Sequence, residues 1–200
     1  GYLRTCYDLC HAHHVLFIAD EIQTGIGRTG KLLACDYEHI HPDILILGKA
    51  LSGGVTPVSA VLASDEIMLT IAPGEHGSTY GGNPLAAAVG IAALEVVRDE
   101  HLSENAYEMG ELFRSEMQKI DNPMIKQVRG KGLLNAVVTE PRGGKVAWDI
   151  CLALKENGLI AKPTHDHIIR FTPPLVITRE QMMEAIGIIK ETFEQLIVDK

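Results

Sequence analysis

Two short apolar runs constrain this chain most. Val15-Leu16-Phe17-Ile18-Ala19 and Ile44-Leu45-Ile46-Leu47 are apolar at every position, so as strands they need cover on both faces. A third run, Val58-Ser59-Ala60-Val61-Leu62-Ala63, is apolar apart from Ser59. Separated by turn-rich segments, the three predict an α/β fold with a largely parallel sheet between helices. The first run ends in Asp20, and the second ends in Gly48-Lys49 followed by Ala50-Leu51-Ser52-Gly53-Gly54. A carboxylate and an amine therefore stand at the C-terminal ends of two strands. That is the edge at which open α/β sheets bind ligands.

Around these runs the chain divides in two. A helix is predicted from Tyr2 to His14. Asn83-Pro84 supplies an N-cap and a first-turn proline for a helix to about Asp99. Its Ala86-Ala87-Ala88 and Ala92-Ala93 positions permit close packing. Ser103 is a candidate cap for a further helix to about Lys119. From Ile125 the pattern becomes α+β: a strand at Gly132–Val138, a helix at Val146–Asn157 stopped by Gly158, strands at Leu159–Lys162 and Ile168–Thr172, and a last helix to about Val198. Thr178 with Gln181 three residues on is a capping-box signature for that helix. The domain boundary is expected near Asn122-Pro123, giving segments 1–122 and 123–200. A start at Gly1 rather than methionine reads as a trimmed or partial polypeptide, with any targeting segment outside it.

Composition narrows the partners. The 200 residues are 46% hydrophobic, enough for a sizeable core. Lys plus Arg number 18 against 26 Asp plus Glu, a net charge of -8 without a basic block, which argues against nucleic acid or an anionic membrane as partner. No apolar run approaches the roughly 20 residues that cross a bilayer. Four scattered cysteines, Cys6, Cys10, Cys35 and Cys151, argue against a disulfide framework and fit a reducing compartment.

Several residues invite a chemical reading. Lys49, between an aliphatic run and a Gly-Gly turn, is expected to be partly desolvated, which favours the neutral, nucleophilic amine. Asp20 reads equally as a turn or cap residue, but Gln23 follows at a spacing that lets both side chains face one flat ligand. An amine able to form a Schiff base and an acid able to hold a pyridinium nitrogen are the minimal equipment for pyridoxal phosphate chemistry. Gly25-Ile26-Gly27-Arg28-Thr29-Gly30 matches the GxGxxG dinucleotide fingerprint, yet five residues separate it from the strand and no long helix follows. Gly77-Ser78-Thr79-Tyr80-Gly81-Gly82-Asn83-Pro84 offers hydroxyls and backbone N–H groups suited to a phosphate, or simply a capped helix entry. Cys6, Cys10, His11, His13 and His14 match no common zinc spacing, so the reading is a core-facing thiol pair with an exposed His-rich helix end, and no metal site is predicted. His165 and His167 read as turn residues. Arg170, within Ile168-Ile169-Arg170-Phe171, is costly in a strand unless it meets a carboxylate, for which a substrate is one candidate.

Five ordered segments, LFIADEIQTGIGRTG, PDILILGKALSGG, GEHGSTYGGNPLA, VRGKGLLNAVV and IIRFTPPLVIT, resemble the class III pyridoxal-phosphate-dependent aminotransferases of fold type I, and within them the branch that uses ornithine. The resemblance covers nearly the whole chain, as the C-terminal half of the family's polypeptide. It implies part of a large cofactor-binding domain followed by a small α+β domain. It further implies pyridoxal 5'-phosphate as cofactor, Lys49 as the Schiff-base lysine, Asp20 on the pyridine nitrogen and Gln23 on the ring hydroxyl. Thr79, helped by Ser78, would reach the cofactor phosphate of the neighbouring subunit, and Arg170 would take the substrate carboxylate. L-Ornithine and 2-oxoglutarate are the implied substrates, and a homodimer or larger assembly with shared sites the implied state. The family's phosphate loop, stacking aromatic ring and arginine-masking acid fall outside this chain, so activity is expected to need the N-terminal half. An intracellular location, mitochondrial matrix or cytoplasm, follows from the likeness. Two rivals remain: acetylornithine or another ω-amino-acid aminotransferase, against which Tyr80 and the residues near Glu75 speak, and a non-catalytic dimerising or dinucleotide-binding module.

Overall fold

The computed structural model describes residues 1–141 and 144–198. The chain forms two compact units, Gly1–Ser103 and Glu104–Lys200.

In the first unit, α1 (Tyr2–Ala12) precedes a three-stranded sheet of β1 (Ile18–Asp20), β2 (Ile44–Leu47) and β3 (Ala60–Ala63) in the order β1-β2-β3. β1 and β2 are parallel, with Ile18 opposite Ile44 and Asp20 opposite Ile46. β3 runs antiparallel to β2, Leu47 facing Ala60, so the sheet is mixed where a largely parallel one was expected. The reason lies in the connection: residues 48–59 hold only a 3-10 helix, Lys49–Ser52, rather than the crossover helix that usually joins parallel neighbours. Ala19, Cys35 and Ile40 form a small core against Leu3, Tyr7, Phe17 and Leu45. Cys6 and Cys10 are half-buried. A short helix, α2 (Asp65–Met68), and α3 (Pro84–Asp99) follow. The α3 cap is as the sequence predicts: Asn83 Oδ1 accepts from the Ala86 N–H at 2.9 Å, with Pro84 opening the helix. α3 packs on the Lys49–Ser52 turn, close enough that a Cβ on Gly90 would stand 3.5 Å from the Leu51 carbonyl oxygen.

The second unit contains most of α4 (Leu102–Met117), then β4 (Ile125–Lys131), β5 (Leu134–Thr139), α5 (Ala147–Glu156), β6 (Lys162–Pro163), β7 (Ile168–Phe171) and α6 (Arg179–Val198). Its strands form an antiparallel sheet in the order β4-β5-β7-β6. Phe113, Met117, Leu133, Val137, Ile150, Leu154, Ile169, Met182, Ile189 and Phe193 are buried in one core with contributions from all three helices. Two contacts tie α4 to the β4–β5 turn. Arg114 donates to the Gly132 carbonyl at 3.0 Å and to Asn135 Oδ1 at 2.6 Å. A Cβ on Gly110 would lie 1.9 Å from the Gly132 carbonyl oxygen, so helix and turn meet backbone to backbone. Because α4 shares this core, Asn122-Pro123 lies inside the second unit, in the link from α4 to β4.

Other differences from expectation are local. α4 starts at Leu102, after His101 at φ 53°, so Ser103 sits in its first turn rather than capping it. α6 begins as predicted, Gln181 Oε1 accepting from the Thr178 N–H at 3.0 Å and Thr178 Oγ1 from the Gln181 N–H at 3.3 Å. β4 carries no strand signal in sequence because only Ile125 and Val128 point into the core.

Candidate active site

The ends of β1 and β2 bring Asp20 and Lys49 into one neighbourhood. Asp20 pairs with Ile46, and Lys49 follows β2 after Gly48. The Glu21 N–H continues the ladder to the Ile46 carbonyl at 3.0 Å. Beyond it the chain turns, and the Ile22 N–H donates to Asp20 Oδ1 at 3.1 Å. That bond orients the carboxylate. The Ile22 side chain lies over Gly48, where a Cβ would come within 3.4 Å of it. Asp20 and Gln23 are both exposed on this turn.

Lys49 has φ 44°, a left-handed conformation that non-glycine residues enter rarely. It is exposed, which corrects the expected desolvation. The aliphatic run before it is itself only half-buried, and the left-handed turn into the 3-10 helix leaves its side chain outside the packing of Leu51 and Ser52.

Ser78 and Thr79 lie in an exposed segment before α3. Ser78 Oγ accepts from the Gly81 N–H at 2.9 Å, and Tyr80 is 82% exposed. Glu75 Oε2 takes the Ala72 N–H at 2.7 Å, a local turn contact. The GxGxxG segment is a run of turns followed by the 3-10 helix Ala34–Glu38. No phosphate-binding helix opens at Gly30, so the dinucleotide reading loses its structural basis.

Arg170 belongs to the second unit, in β7 between Ala136 and Lys162. Its Nε is buried with no hydrogen-bond partner among the described residues. It lines a cavity of about 680 Å³ with Phe171, Thr172, Pro173, Gln181 and Met182. A buried, unpaired guanidinium nitrogen beside a cavity is equipped for an anion.

Glu21 was not singled out from the sequence. It is 3% exposed. Its Oε1 accepts from the Cys35 N–H at 2.8 Å and its Oε2 from the Thr24 hydroxyl. Burial, and then the Glu21 carboxylate, push the Cys35 thiol up to about 12. The available signal was alternation, since the residue after an outward Asp20 points inward.

Residues 1–193 match the family described as aminotransferase class-III. The chain is 61% identical over 192 residues to a mitochondrial ornithine aminotransferase of Drosophila melanogaster, covering 96% of this chain and 44% of the relative. A solved ornithine aminotransferase from Toxoplasma gondii superposes with a TM-score of 0.96 at 46% identity, over 100% of this chain and 48% of that one. An acetylornithine aminotransferase from Elizabethkingia anophelis gives 0.94 at 60% identity, over 98% and 49%. The α/β fold agrees with the sequence match: this chain belongs to the class III aminotransferases, a family of pyridoxal-phosphate-dependent transferases. It spans less than half the length of the curated relatives it matches.

Proposed function

We propose that the complete protein is an ornithine δ-aminotransferase, moving the δ-amino group of L-ornithine to 2-oxoglutarate to give glutamate 5-semialdehyde and glutamate. The observation that carries the reading is the exposed Asp20–Lys49 pair at neighbouring strand ends. The residues suit pyridoxal phosphate. Asp20 keeps one carboxylate oxygen outside its turn bond, Gln23 is exposed beside it, and Lys49 presents an open amine. When bound, the cofactor supplies an electron sink for the bond-breaking at the substrate carbon.

The chain's own residues do the rest. Lys49 would hold the cofactor through Nζ, and its amine would serve as the base that moves the proton at the substrate carbon. Asp20 keeps the ring nitrogen protonated through a charge-assisted hydrogen bond. Gln23 orients the ring through its hydroxyl. Ser78 and Thr79 hold the phosphate of a neighbouring subunit in a homodimer or larger assembly, and Arg170 takes a substrate carboxylate. The remaining polypeptide is needed for turnover. An intracellular location, in mitochondria or cytoplasm, goes with this reading. No helix among the described residues is long and apolar enough to cross a membrane.

Acetylornithine is the alternative donor, favoured by the 60% identity to the Elizabethkingia protein. Borohydride reduction of the cofactor-loaded full-length protein, followed by peptide mapping, should place a pyridoxyl label on Lys49. A label elsewhere overturns the assignment. A panel of amine donors with 2-oxoglutarate should then give ornithine the highest kcat/KM, and preference for acetylornithine would replace the first reading with the second.

A further inference from the structure

The proposed chemistry leaves one buried acid unused. Glu21 stands between Asp20 and the turn carrying Gln23, and each of its polar groups is engaged. Its N–H donates to Ile46 and its carbonyl accepts from the Gly25 N–H at 2.9 Å. Its two carboxylate oxygens take the Cys35 N–H and the Thr24 hydroxyl. A Cβ on Gly25 would fall 2.8 Å from the Glu21 carbonyl oxygen, so the turn is wound tightly onto this residue. One side chain thus ties three stretches together: the end of β1, the turn at 22–25, and the start of the 3-10 helix at Cys35. Its neighbours Asp20 and Gln23 are exposed while Glu21, Gly25 and Cys35 are buried. The anchor is beneath and the reacting face is outside.

We propose that Glu21 is a positioning residue of the site, clamping the 21–35 loop onto the ends of β1 and β2 so that Asp20 and Gln23 hold a fixed spacing to Lys49. This rests on the reading of those three residues as cofactor contacts. A buried carboxylate is expensive unless its oxygens are satisfied. Here both are used on backbone and hydroxyl donors of the same loop, so the burial fixes the loop's geometry. Positional error of about 1 Å at a reacting centre can cost about 10²-fold in rate.

Glutamine can keep the clamp, its Oε1 accepting from Cys35 and its amide donating to Thr24 once that hydroxyl rotates. Alanine cannot. In the full-length enzyme, Glu21→Ala should therefore lower kcat by about 10²-fold, leave KM within about threefold of the parent, and weaken the visible circular dichroism of the bound cofactor. Glu21→Gln should return kcat to within about fivefold of the parent. In the cofactor-free protein, thiol labelling of Cys35 should be faster in the alanine variant than in the glutamine one.

The proposal falls if Glu21→Ala keeps parental kcat, cofactor dichroism and Cys35 protection. Should Glu21→Ala fail to fold, Thr24→Val removes one arm of the clamp. A folded Thr24→Val with lowered kcat and cofactor dichroism upholds the positioning role, and parental values overturn it, leaving Glu21 a stability residue only. If the parent protein takes no pyridoxyl label at Lys49, this inference and the functional reading fall together. If the parent is labelled there and the variants behave as parent, this one falls alone.

Discussion

The two units bury their apolar residues to different degrees. The second closes a core around Phe113, Leu133, Val137, Leu154, Ile169 and Phe193, five of them fully buried. The first buries Ala19, Cys35 and Ile40 in a cluster of its own and leaves Ile18, Val61 and Leu62 about half exposed on the sheet that carries Asp20 and Lys49. The strand-end acid and amine therefore sit on the less enclosed scaffold. Beside that small cluster, the hydrogen bonds of Glu21 and of Asp20 with Ile22 tie the strand ends to the following loop. Segments with few buried apolar contacts are the ones that open most readily, so a site built on them needs such ties.

Three further expectations would sharpen or break this contrast. The largest concerns chemistry on the open unit: Asp20→Ala in the full-length protein should lower kcat by about 10²-fold or more while cofactor still binds. Steady-state kinetics with cofactor stoichiometry checks it, and near-parental turnover would remove Asp20 from the reaction. Next is packing. Phe193→Ala in the second unit should cost about 3–5 kcal/mol, whereas Val61→Ala in the first should stay within about 0.5 kcal/mol. Chemical denaturation reads both, and equal losses would abolish the contrast.

The smallest effect is electrostatic. Asp43 accepts from the Phe17 N–H at 2.7 Å and from His11 at 3.0 Å, and these bonds, the Phe17 one foremost, hold its carboxyl below the usual range. A depressed folded pKa contributes stability above the unfolded value of about 3.9 and loses it as pH falls through the folded value. Asp43→Asn should thus destabilise the protein at neutral pH and converge with the parent in acid. Melting curves from pH 7 to pH 3 that stay parallel would refute the coupling.

Much of this arrangement was legible beforehand for identifiable reasons. The Asn83-Pro84 and Thr178–Gln181 helix starts are local chemistry, written in adjacent residues. Asp20 and Lys49 were visible because polar residues interrupting apolar runs mark strand ends. The direction of β3 was hidden, because nothing in the composition of residues 48–59 distinguishes a return from a crossover. β4 was hidden because IKQVRGK pairs at an edge and needs little apolar patterning. The exposure of Lys49 depends on a left-handed backbone turn that no neighbouring residue announces. Glu21 was overlooked because its partner at Cys35 lies fourteen residues away, beyond any local pattern.

The contact between Gly110 and the Gly132 carbonyl also bears on how this protein can change over time. A hairpin tip is ordinarily where a lineage or an engineer inserts residues at little cost. At Lys131-Gly132-Leu133 the helix backbone occupies the space an insertion would need, and Gly110 cannot acquire even a methyl group unless the tip retreats. A side chain at position 110 is therefore tolerated only with a matching displacement of the hairpin backbone at position 132.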